Sequence, residues 1–390
     1  MDIQPPAGMR PRRALVLAGG VALGAFEAGA YAALEEAGAP QLDILVGVSA
    51  GAVNAAIIAG NPPGARAAAL RRFWNRAGTD PTPATTFLLG PPPPAGAWRA
   101  AYNEASALQT LLLGNPLMFR PRLAPGPRIG QAPGLFDLEP LLAQLPEFVD
   151  FERLNNGACR IVMTAIDVET GERVVFDTSA GTRIGPRHVV ASCALLPVFA
   201  PVELDGRLLG DGGLASNVPL DLALEAPADQ APGAPRNAAL DCIFIELFAP
   251  AGSRPRTLGA SMARAADLGF GNQTQRLLEG QARERRLRAL MRCLAARLPD
   301  DARSAPEIAA ALAEARHDPP LTLVRIGYRA GRDEAGPGKL FDFSTTTLTD
   351  RWEAGAEAMR QALQRLQAPA SAIPLAEDML LHEVEARTMP

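Results

Sequence analysis

Residues 44–60, ILVGVSAGAVNAAIIAG, limit the fold more than any other segment of the chain. Residues 43–46 form a short run typical of a buried strand, and residues 52–58 continue with the small and apolar side chains of a helix. A sharp strand-to-helix turn brings backbone from both sides together, so only glycine fits two residues before and after its centre. Gly47 and Gly51 meet that requirement, and we predict a turn that presents Ser49 at the start of a helix.

Ser49 is therefore a candidate nucleophile. Gly-x-Ser-x-Gly in a strand–turn–helix context forms the elbow of many serine hydrolases. The free N–H groups and the positive dipole end of a helix N-terminus also favour a developing anion. The alternative is a glycine-rich turn in which Ser49 only caps the helix, because the bare pattern is common.

A second strand–loop–helix unit precedes this elbow. Residues 14–18 predict a buried strand, Gly19-Gly20-Val21-Ala22-Leu23-Gly24 a loop, and residues 25–37 a helix that ends at Gly38. Such a loop can direct backbone N–H groups at the oxygen of a tetrahedral intermediate. The alternative is a dinucleotide-binding loop, but the Gly-x-Gly-x-x-Gly spacing is missing and Asp43 lies before the next strand rather than at its end.

A candidate base lies further along the chain. Residues 202–209 predict a hairpin that delivers Asp211-Gly212-Gly213 at a strand end. A serine hydroxyl needs a positioned base, and Asp211 can serve without a histidine. A Ser–Asp–His triad in α/β-hydrolase order would instead require His317 or His382. We predict that both are solvated surface histidines.

The third histidine, His188, precedes the Asp-Gly-Gly motif and is predicted to be structural. Residues 187–195 around it predict a helix. A Ser–Asp pair is therefore the simpler prediction.

Composition excludes several classes of protein. The chain has 390 residues, of which 48% are hydrophobic and 21% charged, as expected for one large α/β domain or one domain with an appendage. A formal charge of −4 gives no indication of nucleic-acid binding. The four cysteines form no Cys-x-x-Cys pair and are predicted to be reduced and buried, without a zinc site: Cys159, Cys193, Cys242 and Cys293.

The N-terminus resembles a signal peptide in part. Three arginines precede the apolar run 14–26, and Ala28-Gly29-Ala30 resembles a cleavage site. Cleavage would remove the strand and loop that Ser49 needs, so we predict an intracellular, cytoplasmic protein, with peripheral membrane contact left open. No apolar run reaches the about 20 residues of a membrane span.

We divide the chain into a flexible arm at 1–12, a domain at 13–225 that carries the motifs, an α/β extension at 238–370 and a tail at 371–390. Residues 80–135 are rich in Pro and Gly and predict an apolar insert without clear periodicity. This insert either accommodates an acyl chain or packs over the core.

Two segments of the extension predict amphipathic helices. Residues 276–298 place five apolar side chains on one face among many arginines, which indicates either a helix docked on the protein or one that lies on anionic lipid. Thr347 opens a capping-box pattern before a stripe that includes Trp352 and Met359, predicted to be core packing or a subunit contact. Strands at 242–247 and 321–326 could complete the sheet.

Over about residues 12–221 the order of glycine loop, Gly-x-Ser-x-Gly and Asp-Gly-Gly resembles the patatin-like phospholipases. Ala191-Ser192-Cys193-Ala194 with Pro197 is also similar to the segment before that family's Asp. The resemblance implies an α/β fold with a mostly parallel sheet sandwiched by helices. It implies a serine acyl hydrolase of lipid esters that needs no metal or cofactor and binds no nucleic acid. The site residues implied are Ser49 (nucleophile), Asp211 (general base), Gly19, Gly20 and Val21 (oxyanion hole), and Gly24, Gly47, Gly51, Gly212 and Gly213 (backbone support).

Two residues depart from the family's pattern. Val21 replaces the third loop glycine, and Leu23 replaces a common Arg or Lys. A β-branched residue tolerates positive φ badly, so we expect either a differently shaped loop or a weaker oxyanion hole. A weakly catalytic lipid-binding protein is therefore an alternative, and polymer or thioester substrates stay open.

Overall fold

The computed structural model describes residues 10–38, 41–80, 87, 90, 92, 94–122, 133–224, 239–252, 254–315, 319–329, 336–368 and 371–386. The strands in these residues are β1 Arg12–Leu17, β2 Ile44–Gly47, β3 Arg120–Pro121, β4 Phe136–Asp137, β5 Arg160–Asp167, β6 Arg173–Asp177, β7 Val202–Leu204, β8 Arg207–Asp211, β9 Leu240–Glu246, β10 Leu321–Gly327, β11 Ile373–Ala376 and β12 Met379–Glu385. The helices are α1 Gly24–Glu36, α2 Ala50–Ala59, α3 Arg66–Ala77, α4 Ala97–Leu113, α5 Glu139–Phe148, α6 Phe151–Asn156, α7 Pro186–Ser192, α8 Asp221–Leu224, α9 Leu258–Ala295, α10 Asp300–Arg303, α11 Pro306–Glu314 and α12 Thr345–Leu366.

The central sheet is mostly parallel. Its strand order is β11-β12-β10-β9-β1-β2-β5-β8-β7, with β6 also paired to β5. Every pairing from β12 through β5 is parallel, whereas β11, β6, β8 and β7 add antiparallel pairings. Helices on both sides of the sheet bury strands such as β1, whose continuous apolar run is typical of a parallel strand covered on both faces. The predicted fold class is confirmed.

Strand register places the two predicted catalytic side chains at the same edge. Gly47 at the end of β2 pairs with Met163 of β5, and Asp211 of β8 pairs with Ala165, two residues further along β5. Ser49 follows Gly47 by two residues. Both side chains therefore reach the carboxyl edge of the parallel strands at the same level, on opposite sides of β5.

Helix α12 packs against α1 through small residues. A methyl group added to Gly355 would lie 1.9 Å from Phe26 O, and one added to Gly29 would lie 2.0 Å from Trp352 O. Trp352 and Met359 are buried, so core packing is the interpretation that the structure supports for this stripe. The helix begins earlier than predicted, because Ser344 caps it.

Two regions differ from the sequence prediction. Part of the insert predicted at 80–135 is the regular helix α4, although residues 123–132 and several between 81 and 93 lie outside the described residues. The segment treated as a tail contains β11 and β12, and β12 pairs in parallel with β10 inside the central sheet. Of the predicted arm, residues 1–9 lie outside the described part.

Helix α9 is longer than predicted and docks by the other face. Arg285 and Arg292 donate hydrogen bonds to the carbonyls of Pro319 and Ala315, at 3.1 and 3.2 Å. The predicted apolar face is instead exposed, as Leu290 and Leu294 illustrate. Periodicity alone identified the stripe but could not show which face has partners.

No helix in the described residues combines the length and apolarity needed to cross a membrane. All four cysteines are free thiols. Cys193 and Cys242 are buried as predicted, whereas Cys293 is exposed, and the prediction is wrong there.

Candidate active site

Ser49 lies on a strained turn between β2 and α2. Its φ and ψ angles are 55° and −123°, and the residue is 7% exposed. A methyl group on Gly47 would lie 2.4 Å from Gly51 O, and one on Gly51 would lie 2.4 Å from Leu17 O. The backbones on both sides of the turn are thus too close for any side chain, as the sequence pattern predicts. Strain of this kind is typical of functional positions.

Asp211 lies beside this serine at the same edge of the sheet. It is 2% exposed, and its carboxylate accepts a hydrogen bond from Gly213 N–H at 2.7 Å. Burial raises the pKa of Asp211 to about 7, and the nearby Ser49 hydroxyl and the Gly213 N–H offset only part of this effect. A base with a pKa near neutrality combines the correct protonation state with a useful driving force for proton transfer.

The glycine loop adjoins the nucleophile. A methyl group on Gly19 would lie 3.0 Å from Ser49 Cβ, and one on Gly20 would lie 2.6 Å from Leu247 Cδ1. Gly24 ends the loop where α1 begins. Gly212 and Gly213 open a 3-10 turn directly after Asp211, at the other side of Ser49.

The loop adopts a left-handed conformation at Val21, whose φ is 49°. The valine therefore does not prevent positive φ, although such a conformation costs about 1–3 kcal/mol. Residues Val21–Leu23 form a 3-10 turn, so the N–H groups of Val21 and Ala22 have no acceptor within it. Gly19 N–H instead donates to Asn217 O at 3.3 Å, which makes it the weakest of the predicted oxyanion donors. Leu23 is fully buried and belongs to the core.

The end of α7 holds the backbone of the nucleophile. Ser49 N–H donates to Ser192 Oγ at 3.0 Å, and the thiol of Cys193 donates to Ser49 O at 3.3 Å. From the sequence, residues 191–194 were identified only as similar to the segment that precedes the Asp of the family's motif. The contact itself joins residues 143 positions apart, for which no local pattern gives a signal.

Asn217 links the glycine loop to the segment after Asp211. Its side-chain amide donates to Gly19 O at 3.2 Å, and its own N–H donates to Oε1 of Gln273 on α9 at 2.7 Å. Sequence reasoning did not identify this residue. An asparagine four residues after an Asp-Gly-Gly motif was the only available signal.

Beneath the loop lies a fully buried carboxyl group, Glu27 of α1. Its Oε1 accepts from Ala18 N–H at 2.6 Å, immediately before Gly19, and its Oε2 lies 3.2 Å from Asn54 Nδ2. Asn54 also donates to Gly24 O at 2.9 Å and accepts from Trp74 Nε1 at 2.9 Å. Burial raises the pKa of Glu27 well above its usual range, and the two hydrogen bonds oppose this shift.

His382 does not reach Ser49 or Asp211. His382 is buried in β12, so the prediction of a surface position is wrong. The residues that align with it on the next four strands are Val324, Ile243, Leu15 and Leu45. Four strand spacings separate β12 from β2, about 19 Å at 4.8 Å per strand.

His188 has a local structural role. Its Nδ1 accepts from Gly185 N–H at 3.0 Å, and its ring packs edge-on against Phe176. The remaining histidine, His317, lies outside the described residues.

A cavity of about 440 Å³ lies elsewhere, lined by residues that include Arg120, Asp137 and Arg187. Neither Ser49 nor Asp211 contributes to its wall. Chemistry and position, and not cavity size, therefore identify the candidate site.

Comparisons with known proteins give two family matches and several similar structures. Residues 15–224 match the patatin-like phospholipase family, and residues 268–372 match a second family described as patatin phospholipase. Among solved structures, VipD from Legionella pneumophila is similar with 12% identity and a TM-score of 0.40, over 92% of this chain and 67% of that one. The type III effector protein ExoU has 16% identity and a TM-score of 0.21, over 92% of this chain and 76% of its own. No curated protein sequence matches significantly.

The first family match covers more than half of the chain. The glycine loop, the serine elbow and Asp211 all lie within it. The chain belongs to the patatin-like phospholipase family.

Proposed function

We propose that the protein is a serine acyl hydrolase that cleaves carboxylic esters of lipids, with Ser49 as nucleophile and Asp211 as general base. The observation that carries this proposal is that Ser49, on its strained turn, and the buried Asp211 reach the same edge of the sheet on either side of β5, where burial raises the pKa of the carboxyl to about 7. Membership of a family of lipid hydrolases supports the substrate class.

Acylation begins when Ser49 Oγ attacks the ester carbonyl and its proton passes to Asp211. The carbonyl oxygen becomes an oxyanion, and we assign its stabilisation to loop N–H groups at Gly20 and Val21 rather than at Gly19, whose N–H already has an acceptor. The C–O bond to the leaving alcohol then breaks, and the alcohol takes the proton from Asp211. The product is an acyl ester of Ser49.

Deacylation repeats these steps with water. Asp211 accepts a proton as a water molecule attacks the acyl carbonyl, and Ser49 recovers its proton when the second intermediate collapses. The fatty acid leaves, and both side chains return to their starting state. One carboxylate thus acts twice as base and twice as acid, which a pKa near neutrality allows.

The test is the initial rate of hydrolysis of p-nitrophenyl esters of graded chain length, with folding of each variant checked by circular dichroism. We expect turnover by the wild-type protein and loss of at least about 1,000-fold in Ser49→Ala and Asp211→Asn. His317→Ala and His382→Ala should keep their activity. An active Asp211→Asn together with an inactive histidine variant would replace the dyad by a histidine triad.

A weakly catalytic lipid-binding protein is the second candidate. It is favoured by the strained Val21 in the loop that must stabilise the oxyanion. It predicts binding to liposomes without ester cleavage, and no labelling of Ser49 by a fluorophosphonate. The same labelling experiment, run with acyl thioesters as competitors, distinguishes ester from thioester substrates.

A further inference from the structure

An apolar stripe runs along the outer face of α9. The helix has 38 residues and is about 57 Å long at 1.5 Å per residue. At about 100° per residue its large exposed apolar side chains fall on one side, with Leu258 and Leu294 being 81% and 65% exposed. The stripe consists of two clusters separated by 24 residues, Leu258 with Met262 near the start of the helix and Leu287, Leu290, Met291 and Leu294 near its end, while the exposed Leu268 lies about 80° to one side.

The opposite side of α9 attaches the helix to the protein. Thr274, Leu278 and Ala282 are buried there. The hydrogen bonds of Arg285 and Arg292 to backbone carbonyls add to this attachment. The outer stripe therefore has no part in holding the helix in place.

The charge of α9 is opposite to that of the whole chain. The helix contains seven arginines and three acidic residues, whereas the chain has a formal charge of −4. Two of the acids have cationic partners, since Asp267 pairs with Lys339 and Glu284 with Arg288. On the outer face, between the two apolar ends, lie the exposed side chains of Arg276 and Arg283.

We propose that the outer face of α9 binds a membrane surface that contains anionic lipid. A long helix with an apolar stripe, a basic polar face and low overall hydrophobicity lies in the plane of the membrane interface. Arg264, Arg285, Arg286 and Arg292 donate to backbone carbonyls and Arg288 pairs with Glu284. The surface potential of anionic headgroups therefore acts on the two arginines of the outer face, Arg276 and Arg283. A second copy of this chain fits less well, because pairing two such faces would bring their arginines together.

This surface is linked directly to the candidate active site. Gln273, in the middle of α9, accepts the hydrogen bond from Asn217, which in turn holds Gly19. At about 100° per residue Gln273 lies on the same side of α9 as Met291, so the outer face is joined to the glycine loop by two hydrogen bonds. The proposal rests on the proposed function, because it places the lipid esters of a membrane on the helix that contacts the candidate active site.

The test uses vesicles of phosphatidylcholine alone and of phosphatidylcholine mixed with phosphatidylglycerol, with binding measured by co-sedimentation. Two double variants alter the outer face: Leu290→Asp with Leu294→Asp, and Arg276→Glu with Arg283→Glu. The control is Leu112→Asp with Leu113→Asp on α4, where both side chains are equally exposed. All these positions are on the surface, so the variants should fold.

We expect wild type to bind the mixed vesicles more tightly than phosphatidylcholine alone. Both α9 variants should lose at least about tenfold in this affinity, while the α4 control and the hydrolysis of a soluble short-chain ester stay unchanged. Absent binding by wild type, or equal loss in the control, overturns the proposal. So does a dimer that the α9 variants convert to a monomer in analytical ultracentrifugation. Vesicle binding without any ester cleavage would refute the proposed activity but keep this surface.

Discussion

Ser192 Oγ accepts the backbone hydrogen bond of Ser49 N–H at 3.0 Å, so the main chain of the proposed nucleophile is fixed by a residue from another helix. Ser192 is fully buried at the end of α7, and its neighbour Cys193 donates to the carbonyl of the same Ser49. Hydrogen bonds thereby fix both backbone groups of Ser49, its N–H and its carbonyl. The position of Oγ depends on α7 as much as on the elbow itself.

Ser192→Ala should lower kcat about tenfold and change KM less than about threefold, because it leaves Ser49 N–H without its acceptor and loosens the nucleophile. The assay is steady-state hydrolysis of a p-nitrophenyl ester. Ser344→Ala is the matched control, since Ser344 is equally buried but caps α12. It should cost about 1 kcal/mol of stability without an effect on kcat. Equal losses of kcat in both variants would contradict this prediction.

The pH dependence of kcat/KM should follow the titration of Asp211. Only the deprotonated carboxylate can accept the proton of Ser49, and burial places its pKa at about 7. Activity should therefore rise about tenfold per pH unit below pH 7 and level off above about pH 8. A profile that is flat from pH 5 to 8 would exclude Asp211 as the base.

The same carboxyl group should lower stability at neutral pH. Its pKa is about 7 in the folded protein and about 3.9 when unfolded, so between these values the folded state binds more protons. The contribution of Asp211 to the free energy of unfolding then falls as pH rises from about 4 to 7, by up to about 4 kcal/mol. Asp211→Asn removes this contribution and should be more stable than wild type at pH 8 but not at pH 4.

Urea unfolding at several pH values measures this difference. Ser49→Ala is the control, because it keeps the titrating carboxyl and should keep a slope of the same sign. An Asp211→Asn variant that is less stable than wild type at pH 8 would show that the carboxylate stabilises the fold.

Glu27→Met should reduce kcat by about 10- to 100-fold while KM changes little. Ala18 N–H would lose its acceptor directly before the glycine loop, and the strained Val21 would lose part of the structure that fixes it. Affinity for a trifluoromethyl ketone, which mimics the tetrahedral intermediate, should fall in parallel with kcat. Glu27→Gln keeps one acceptor oxygen and should recover at least tenfold of the loss.

Glu35→Met is the matched control on the same helix. Glu35 also accepts backbone N–H groups, from Gly64 and Ala67 at 2.9 Å each, but at the end of α1 away from the glycine loop. It should affect stability and leave kcat unchanged. If Glu27→Met folds and keeps its affinity for the ketone, Glu27 does not position the loop.

The sequence alone was sufficient to predict those parts of the site whose structure is determined by local backbone geometry. Gly47 and Gly51 are required by contacts within a few residues or with the adjacent strand, so their spacing predicts the turn at Ser49. Asp211 likewise follows from a hairpin and two glycines at a strand end. These features are encoded in short segments.

The supporting side chains were not predictable in this way. Ser192, Asn217 and Glu27 act through bonds to backbone groups that only the tertiary structure brings near, and Asn217 meets Gly19 across 198 residues. The face by which α9 docks was not predictable for the same reason. Its arginines find carbonyl acceptors at Pro319 and Ala315, which helical periodicity cannot reveal.

Strand β9 pairs with β1 along Arg12–Val16 and thereby closes the edge of the sheet next to the glycine loop. Leu247, directly after β9, contacts Gly20. The strand lies between the two family matches and beyond the end of the first. A gene shortened after that first match would encode a sheet with an open, apolar edge, which invites aggregation. The segments matched by the two families therefore depend on β9, which lies in neither match, to join β1 and β10 into one continuous sheet.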